Sequence, residues 1–194
     1  MSALPPVRRR TIAKIVVGFA AGLAVWFGFR QAYERPLAAA AQAVVHAFER
    51  PPVTTLAAKG GEILVNRSDF PPESPRPGLP ADDIDFNFVL LTALFALQPR
   101  FFEGRVLLRL LAALFLLFLV HVAALLFQVQ SVYAMSLGEW SLAHYGRLAR
   151  NVWAGGFHFY LVAGRFAAPF AIWWLLAARP SAPEAAGPRK RRKR

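Results

Sequence analysis

The chain has 194 residues, of which 56% are hydrophobic, and it carries 23 Lys and Arg residues against 11 Asp and Glu. A soluble domain averages about 45–50% apolar residues, and here the excess lies in long runs with few charges. The sequence has no cysteine, which excludes a disulfide framework, thiolate metal sites and a cysteine nucleophile. These features predict an integral membrane protein, so the positions of its basic residues relative to the apolar runs become informative.

Four apolar runs divide the sequence. Three reach the length of about 20 residues that crosses the hydrocarbon core, namely 11–29, 110–129 and 152–178. The run 84–98 is shorter and suits a short span, a re-entrant segment or a buried helix. We predict a span, because a tight turn ending at Gly104 leads directly into the next run. The first run is predicted to be a retained anchor, since its apolar stretch exceeds that of a cleaved signal peptide.

Basic residues collect on one side of the four predicted spans. Four precede or open the first run, three lie between the second and third, and seven follow the fourth. The segment from Arg30 to Asp85 instead carries six basic and eight acidic residues. The positive-inside rule then predicts cytoplasmic termini. Abundant Ala, Arg and Pro with few Lys suggests a bacterial protein, and hence the cytoplasmic (inner) membrane.

The predicted fold class is an all-α integral membrane protein with four transmembrane helices and a small extracytoplasmic helix plus β-hairpin element. The predicted segments are a basic cytoplasmic N-terminus (1–10), a span (11–29), an extracytoplasmic segment (30–83), a short span (84–98), a cytoplasmic turn (99–109), a span (110–129), an outer interfacial segment (130–151), a span (152–178) and a basic cytoplasmic tail (179–194).

Local patterns subdivide the extracytoplasmic segments. Leu37–Glu49 is predicted to be a short helix opened by a proline. Val53–Asn66 contains two β-prone runs around a Gly-Gly pair, which is typical of a hairpin turn. The proline-rich stretch Phe70–Pro80 predicts an extended linker, and 136–150 predicts either a helix lying in the interface or a connector.

Three polar residues inside the predicted spans form the candidate site. Arg165 lies near the middle of the fourth run, where an arginine costs about 2.5–3.5 kcal/mol. His158 precedes it by seven residues and shares its face at about 100° per residue, and His121 lies in the third run. These residues are the candidate pocket for an anionic group. The alternative is that Arg165 extends to the interface and the histidines make ordinary interhelical hydrogen bonds.

The C-terminal tail is the strongest local charge signal. It is predicted to contact anionic lipid rather than nucleic acid, because it follows a span and lacks aromatic support. Its basic residues are Arg189, Lys190, Arg191, Arg192, Lys193 and Arg194. The sequence predicts no catalytic triad, no metal site and no cofactor.

Several segments together resemble the exosortase/archaeosortase group of bacterial membrane proteins. They are Tyr33-Glu34-Arg35-Pro36, the short hairpin and the apolar stretch 86–122. The chain is most similar to the small proteins that accompany an exosortase, such as the exosortase H-associated membrane proteins. Exosortases resemble transpeptidases that use an intramembrane Cys, helped by Arg and His, on C-terminal sorting tails. His121 and Arg165 match those helpers in residue type only, and the Cys is absent.

The resemblance therefore implies a non-catalytic accessory protein that positions an exosortase-like enzyme or its sorting-tail substrate. Its partners would be membrane lipids and that larger membrane protein or tail. A small transporter or lipid-binding protein that uses the Arg165 pocket is the alternative. A membrane enzyme that needs no cysteine is a third possibility.

Overall fold

Three long helical stretches form most of the structure, a computed structural model that describes residues 6–74, 76–98 and 101–177. A small sheet with strand order β1-β2-β3 accompanies them. The elements are α1 (Pro6–Phe48), β1 (Thr54–Lys59), β2 (Glu62–Arg67), β3 (Gly78–Pro80), α2 (Asp82–Asp85), α3 (Asn87–Phe95), α4 (Gly104–Met135), α5 (Glu139–His144), α6 (Arg147–Phe159), a π-helical turn (Tyr160–Gly164) and α7 (Arg165–Ala177).

The long helical stretches have the length and composition of membrane spans. They cover Thr11–Phe48, Gly104–Met135 and Arg147–Ala177. Large apolar side chains remain exposed along them, including Val17 at 67% and Leu111 at 62%. Exposed apolar surface of this kind marks contact with lipid or a partner. These helices support the prediction of a membrane protein.

Helix α1 runs without interruption through Pro36. The predicted separate start of a helix at Leu37 is therefore wrong, although the helix does continue to Phe48. A proline inside a helix costs about 3 kcal/mol. Burial of the face that follows outweighs this cost, because each large aliphatic side chain contributes about 1.5–3 kcal/mol. The buried residues of that face are Leu37, Ala38, Ala41 and Val45.

The predicted hairpin is present, with β1 and β2 antiparallel and Gly60 and Gly61 at the turn. Their φ angles of 64° and 88° lie in the left-handed region that glycine adopts without steric cost. β3 pairs with β2, although its residues fall in the predicted linker. The inner face of the sheet joins the core formed by α1 and α4, through Leu56, Ile63, Val65 and Leu79.

The short run 84–98 forms two helical pieces, α2 and α3, instead of one helix. Its direction is antiparallel to α1. Gly18 of α1 lies against Ala93, and Trp26, further along α1, hydrogen-bonds to Asp85, which comes earlier in the chain. α3 is therefore a return segment that packs along the first half of α1.

Helix α4 runs parallel to α1. Tyr33 of α1 contacts His121, and further along both helices Val45 and Gln130 line one cavity. The α6–α7 stretch runs back in the opposite direction. Trp153, near the start of this stretch, packs on Phe127 in the second half of α4. Ile172 and Ala177, near the end of the stretch, belong to a buried cluster with residues from the first half of α4.

The segment 136–150, predicted as a helix or a connector, is divided between two helices. α5 ends at His144, and α6 begins at Arg147 after Gly146. Glycine gives up much backbone freedom inside a helix, which favours a break there. The helix that contains the fourth apolar run thus begins at Arg147, before the predicted residue 152, and it includes the π-helical turn.

Candidate binding cleft

Arg67, the last residue of β2, is the centre of a compact charged and aromatic cluster. Its Nε and Nη2 donate to the two carboxylate oxygens of Asp69 at 3.0 and 2.8 Å. Glu49 lies 3.5 Å from its Nη1. The guanidinium also lies 4.6 Å from the Trp140 ring centre and 4.9 Å from that of Tyr133. Only 11% of the Arg67 side chain is exposed, so these partners replace most of its water.

The charges of this Arg67 cluster stabilise one another. Burial lowers the pKa of Arg67, but the hydrogen bonds and charge of Asp69 outweigh burial and raise that pKa above its usual value. The hydrogen bonds from Arg67 hold the pKa of Asp69 below its usual range. Both groups therefore remain charged at neutral pH.

Glu49 connects the Arg67 cluster to three elements. One of its carboxylate oxygens accepts from the backbone N–H groups of Val53 and Thr54, at 3.2 and 3.0 Å. The other accepts from the Thr54 hydroxyl at 2.5 Å. Because that hydroxyl has one proton, the Tyr133 hydroxyl donates to it across 2.7 Å. The end of α1, the start of β1 and the end of α4 are thus held together.

A cavity of about 760 Å³ opens beside this cluster, between α1, α4 and α6. This volume lies within the range of about 300–1,000 Å³ that is usual for ligand sites. We call it the α1/α4/α6 cleft. Its walls are mainly apolar and include Val45, Phe48, Leu126, Phe127 and Trp153.

Polar groups line the same cleft on the side of the sheet. The Tyr145 hydroxyl donates to the Gln130 side-chain oxygen at 2.7 Å, and burial raises the pKa of Tyr145. The charged residues of the lining are Glu49, Arg50, Arg67 and Asp69. The cleft therefore combines an apolar wall with a rim that carries both signs of charge.

A second polar feature is a buried chain of hydrogen bonds between helices. The Tyr33 hydroxyl lies 2.5 Å from His121 Nδ1, and His121 Nε2 lies 2.6 Å from the Asn87 oxygen. The Asn87 amide donates to the Tyr160 hydroxyl at 3.2 Å, which donates to the Ile84 carbonyl at 2.7 Å. The Asn87 nitrogen faces Tyr160, so the Asn87 oxygen is the atom that faces His121. An amide oxygen can only accept a hydrogen bond, so His121 Nε2 is the donor. His121 therefore carries a proton on Nε2, and the Tyr33 hydroxyl donates to Nδ1 when that nitrogen carries none.

The sheet side of α1 is fastened by Arg30. Its guanidinium donates to Glu34 at 2.9 Å and to the Gly61 carbonyl at 3.1 Å. It also lies 3.7 Å from Asp82 and 5.0 Å from the Trp26 ring centre. Arg30 thus joins α1 to the hairpin turn and to α2.

The three residues of the predicted anion pocket have different neighbours. His121 uses both ring nitrogens in the buried chain. His158 is exposed, and its Nδ1 contacts the Ala154 carbonyl of its own helix at 2.8 Å. Arg165 lines a separate cavity with Asp82 and Asp83. The π-helical turn lies between His158 and Arg165, so the regular helical period does not describe their relative direction.

Binding of an anionic group at Arg165 stays a prediction. The predicted lipid-binding tail, Arg189–Arg194, lies outside the described residues. Across the described residues, no group of three or more His, Asp or Glu side chains is placed to hold a metal ion.

Comparison of the chain with known protein families, curated proteins and solved structures found no match.

Sequence reasoning missed the Arg67 cluster and the residues that bond to His121. A signal existed for the second group, since Tyr33, Asn87 and Tyr160 are polar side chains in or beside apolar runs. Asp69 and Phe70 lie near Arg67 in the sequence, and the Phe70 ring centre is 5.4 Å from its guanidinium. No local signal brought in Tyr133 and Trp140, which come from a distant part of the chain.

Proposed function

We propose that four segments cross the membrane and that both termini are cytoplasmic. The parallel direction of α1 and α4 supports this topology. If both helices cross in the same sense, the chain between them must return across the membrane. The segment 84–98 runs antiparallel to α1 and is the described stretch that would make this return. The distribution of basic residues independently favours cytoplasmic termini.

We further propose that the protein is a non-catalytic accessory subunit of an exosortase-type sorting system in a bacterial inner membrane. It would position the enzyme or the C-terminal sorting tail of a substrate. The resemblance of 30–178 to exosortase-associated proteins supplies the class of partner. The absence of cysteine from the sequence argues against the transpeptidase role itself.

The α1/α4/α6 cleft is the observation that carries the proposal. Under the proposed topology it lies on the extracytoplasmic side, where the proposed accessory role would position the enzyme or its sorting tail. An amphiphilic peptide segment could bury apolar side chains against Phe127 and Trp153. Its polar end would meet the more open charges of the rim, the exposed Arg50 and the 40% exposed Asp69, which offer a hydrogen-bond donor and an acceptor to peptide groups and side chains.

Site-specific photo-crosslinking in native membranes tests this assignment. A photoreactive phenylalanine analogue replaces Phe127 or Trp153 in the cleft. As a matched control it replaces Leu148, which is 78% exposed on the same helix as Trp153. We expect the two cleft positions to crosslink an exosortase-like protein or a sorting tail, identified by mass spectrometry, and position 148 to do so much less.

Two results would contradict the proposal. One is equal crosslinking of the same partner at all three positions, which would separate the partner from the cleft. The other is crosslinking to lipid alone at Phe127 and Trp153, which would favour a lipid-binding role.

A further inference from the structure

A second cavity, of about 620 Å³, lies between α1, α3 and α7. Aromatic rings dominate its walls, and several of them are partly exposed, including Phe19 at 41%, Phe166 at 52% and Phe170 at 49%. Because the long helices have the character of membrane spans, a cavity that opens between their exposed rings faces lipid. It therefore offers a site for an amphiphile that enters from the bilayer.

The cavity has an apolar end and a charged end. On α1, Phe19 precedes Trp26 by seven residues, or about 10 Å along the helix. On α7, which runs in the opposite direction, Phe170 follows Arg165. Trp26 donates to Asp85 at 2.9 Å, so α2 lies at the Trp26 end. The cavity thus extends from phenylalanine rings to the guanidinium of Arg165 and the carboxylates of α2.

Arg165 retains hydrogen-bonding capacity at this site. Its Nε is buried and has no hydrogen-bond partner among the described residues. The guanidinium lies 4.9 Å from the Phe166 ring centre, which supplies no hydrogen-bond acceptor of the ordinary kind. A buried guanidinium N–H without an acceptor is costly. A phosphate group is the acceptor that suits a guanidinium best in a lipid-facing cavity.

Carboxylates lie at the α2 end of the same cavity. The Tyr160 hydroxyl, five residues before Arg165, donates to the Ile84 carbonyl of α2, so α2 lies beyond Arg165 in the direction of Tyr160. Asp82 is half-exposed, and its Oδ1 lies 3.7 Å from Arg30 Nη2. Asp83 lines the cavity beside Asp82. A ligand with only negative charge would be repelled by these two groups. A ligand with a phosphate followed by an ammonium group would match both signs in the order in which they occur.

We propose that this cavity binds one phospholipid with an ethanolamine headgroup. The phosphate accepts hydrogen bonds from Arg165, the ammonium donates to Asp82 and Asp83, and an acyl chain packs on Phe166 and Phe170. A choline headgroup fits less well for two reasons. Its methylated nitrogen has no N–H to donate, and Arg30 already lies 5.0 Å from the centre of the Trp26 ring, which could otherwise hold a quaternary ammonium.

This site is separate from the α1/α4/α6 cleft, and the proposal does not depend on an accessory role in sorting. A failure of the crosslinking experiment would leave it standing. Conversely, loss of headgroup preference would leave the cleft assignment untouched.

Native mass spectrometry of the full chain in mild detergent tests the proposal. The protein is delipidated and incubated with an equimolar mixture of phosphatidylethanolamine, phosphatidylcholine and phosphatidylglycerol. We expect one phosphatidylethanolamine to be retained at least about fivefold more than either other lipid, because only its headgroup combines the phosphate with a positively charged N–H donor for the carboxylates. Equal retention of the three lipids would overturn the proposal.

Two substitutions test the ammonium contact and the phosphate contact of the headgroup separately. Asp83→Asn leaves the Arg30–Asp82 pair in place and is expected to reduce the preference over phosphatidylglycerol. Arg165→Gln is expected to reduce retention of all three phospholipids. Arg147→Gln, at an exposed position on α6, is the matched control and should change neither quantity.

The proposal remains testable if Arg165→Gln does not fold. In that case the preference of Asp83→Asn for phosphatidylethanolamine over phosphatidylglycerol tests the proposal, since this substitution keeps both charges of the Arg30–Asp82 pair. A preference identical to that of the unsubstituted protein would overturn the assignment of the ammonium group to α2.

Discussion

His121 acts as a connector between helices. Both of its ring nitrogens are engaged, by Tyr33 on one side and Asn87 on the other. Each donor in this chain has one acceptor, so the order of the bonds is fixed from Tyr33 to the Ile84 carbonyl. Such a fully paired buried chain stabilises one arrangement of helices, because any shift leaves a buried polar group without a partner.

Replacement of Asn87 should therefore weaken the protein. Asn87→Leu keeps the branched shape of the side chain but removes the acceptor of His121 and the donor to Tyr160. We expect a loss of about 1–3 kcal/mol in the free energy of unfolding, measured by denaturant titration in detergent. Asn151→Leu, at an exposed position of α6, is the control. Equal stability of the two variants would show that the buried chain contributes little.

Asp69 provides a pH-dependent prediction. Since Arg67 lowers the pKa of Asp69 in the folded protein, the carboxylate stabilises the fold above its unfolded pKa of about 3.9. That contribution is lost as the pH falls through the lower folded pKa.

Asp69→Asn should thus lower the melting temperature at pH 7. The difference from the unsubstituted protein should shrink below about pH 4. The effect is small, at most about 1 kcal/mol, because the Asp69 side chain is 40% exposed. Thermal melts of both proteins across this pH range measure it, and a difference that grows toward acid would contradict the assigned ion pair.

At the scale of elements, α1 and α3 approach closely because of small residues on α1. A Cβ added to Gly22 would overlap the Thr92 side chain and lie 3.3 Å from the Val89 Cα atom. Gly18, one turn earlier, lies against Ala93 in the same way. This Gly-x-x-x-Gly spacing permits backbone contact between membrane helices.

Gly22→Leu should separate α1 from α3. We expect a destabilisation of about 1–3 kcal/mol, since an overpacked contact forces backbone shifts. Gly28→Leu is a matched control on the same helix, because a Cβ at Gly28 meets no atom within 4 Å. Thermal melts followed by size-exclusion chromatography measure both variants. Equal melting temperatures would contradict the close α1–α3 contact.

At the scale of the whole molecule, the proposed topology assigns each connecting segment to one side of the membrane. Under four spans, the loop at Ser136 is extracytoplasmic and the tail at Ser181 is cytoplasmic. If 84–98 did not cross while the three long helices did, both assignments would be reversed. The chain has no cysteine, so a single introduced cysteine gives an unambiguous label.

Ser136→Cys should therefore react with a membrane-impermeant maleimide in intact cells. Ser181→Cys should react only after lysis. Ser68→Cys, which lies between the first span and the short run, is the positive control and should react in intact cells. Labelling of Ser181→Cys before lysis, with Ser136→Cys protected, would exclude the four-span proposal.

The sequence by itself determined the apolar helices and the hairpin turn, because apolar length and the Gly60-Gly61 pair are local properties. The prediction that a helix starts at Pro36 was wrong, since burial of the helix face after this proline depends on the sheet and α4. The sequence also placed His158 and Arg165 on one face, an inference that holds only for a regular helix.

Only the tertiary structure decided which polar residues meet. Arg67 is enclosed by Glu49, Tyr133 and Trp140, which come from other parts of the chain. The cavity beside Arg165 exists only where α1, α3 and α7 converge. Periodicity describes one element at a time. The sites of this protein lie between elements, where the directions of helices and the packing of side chains set the chemistry.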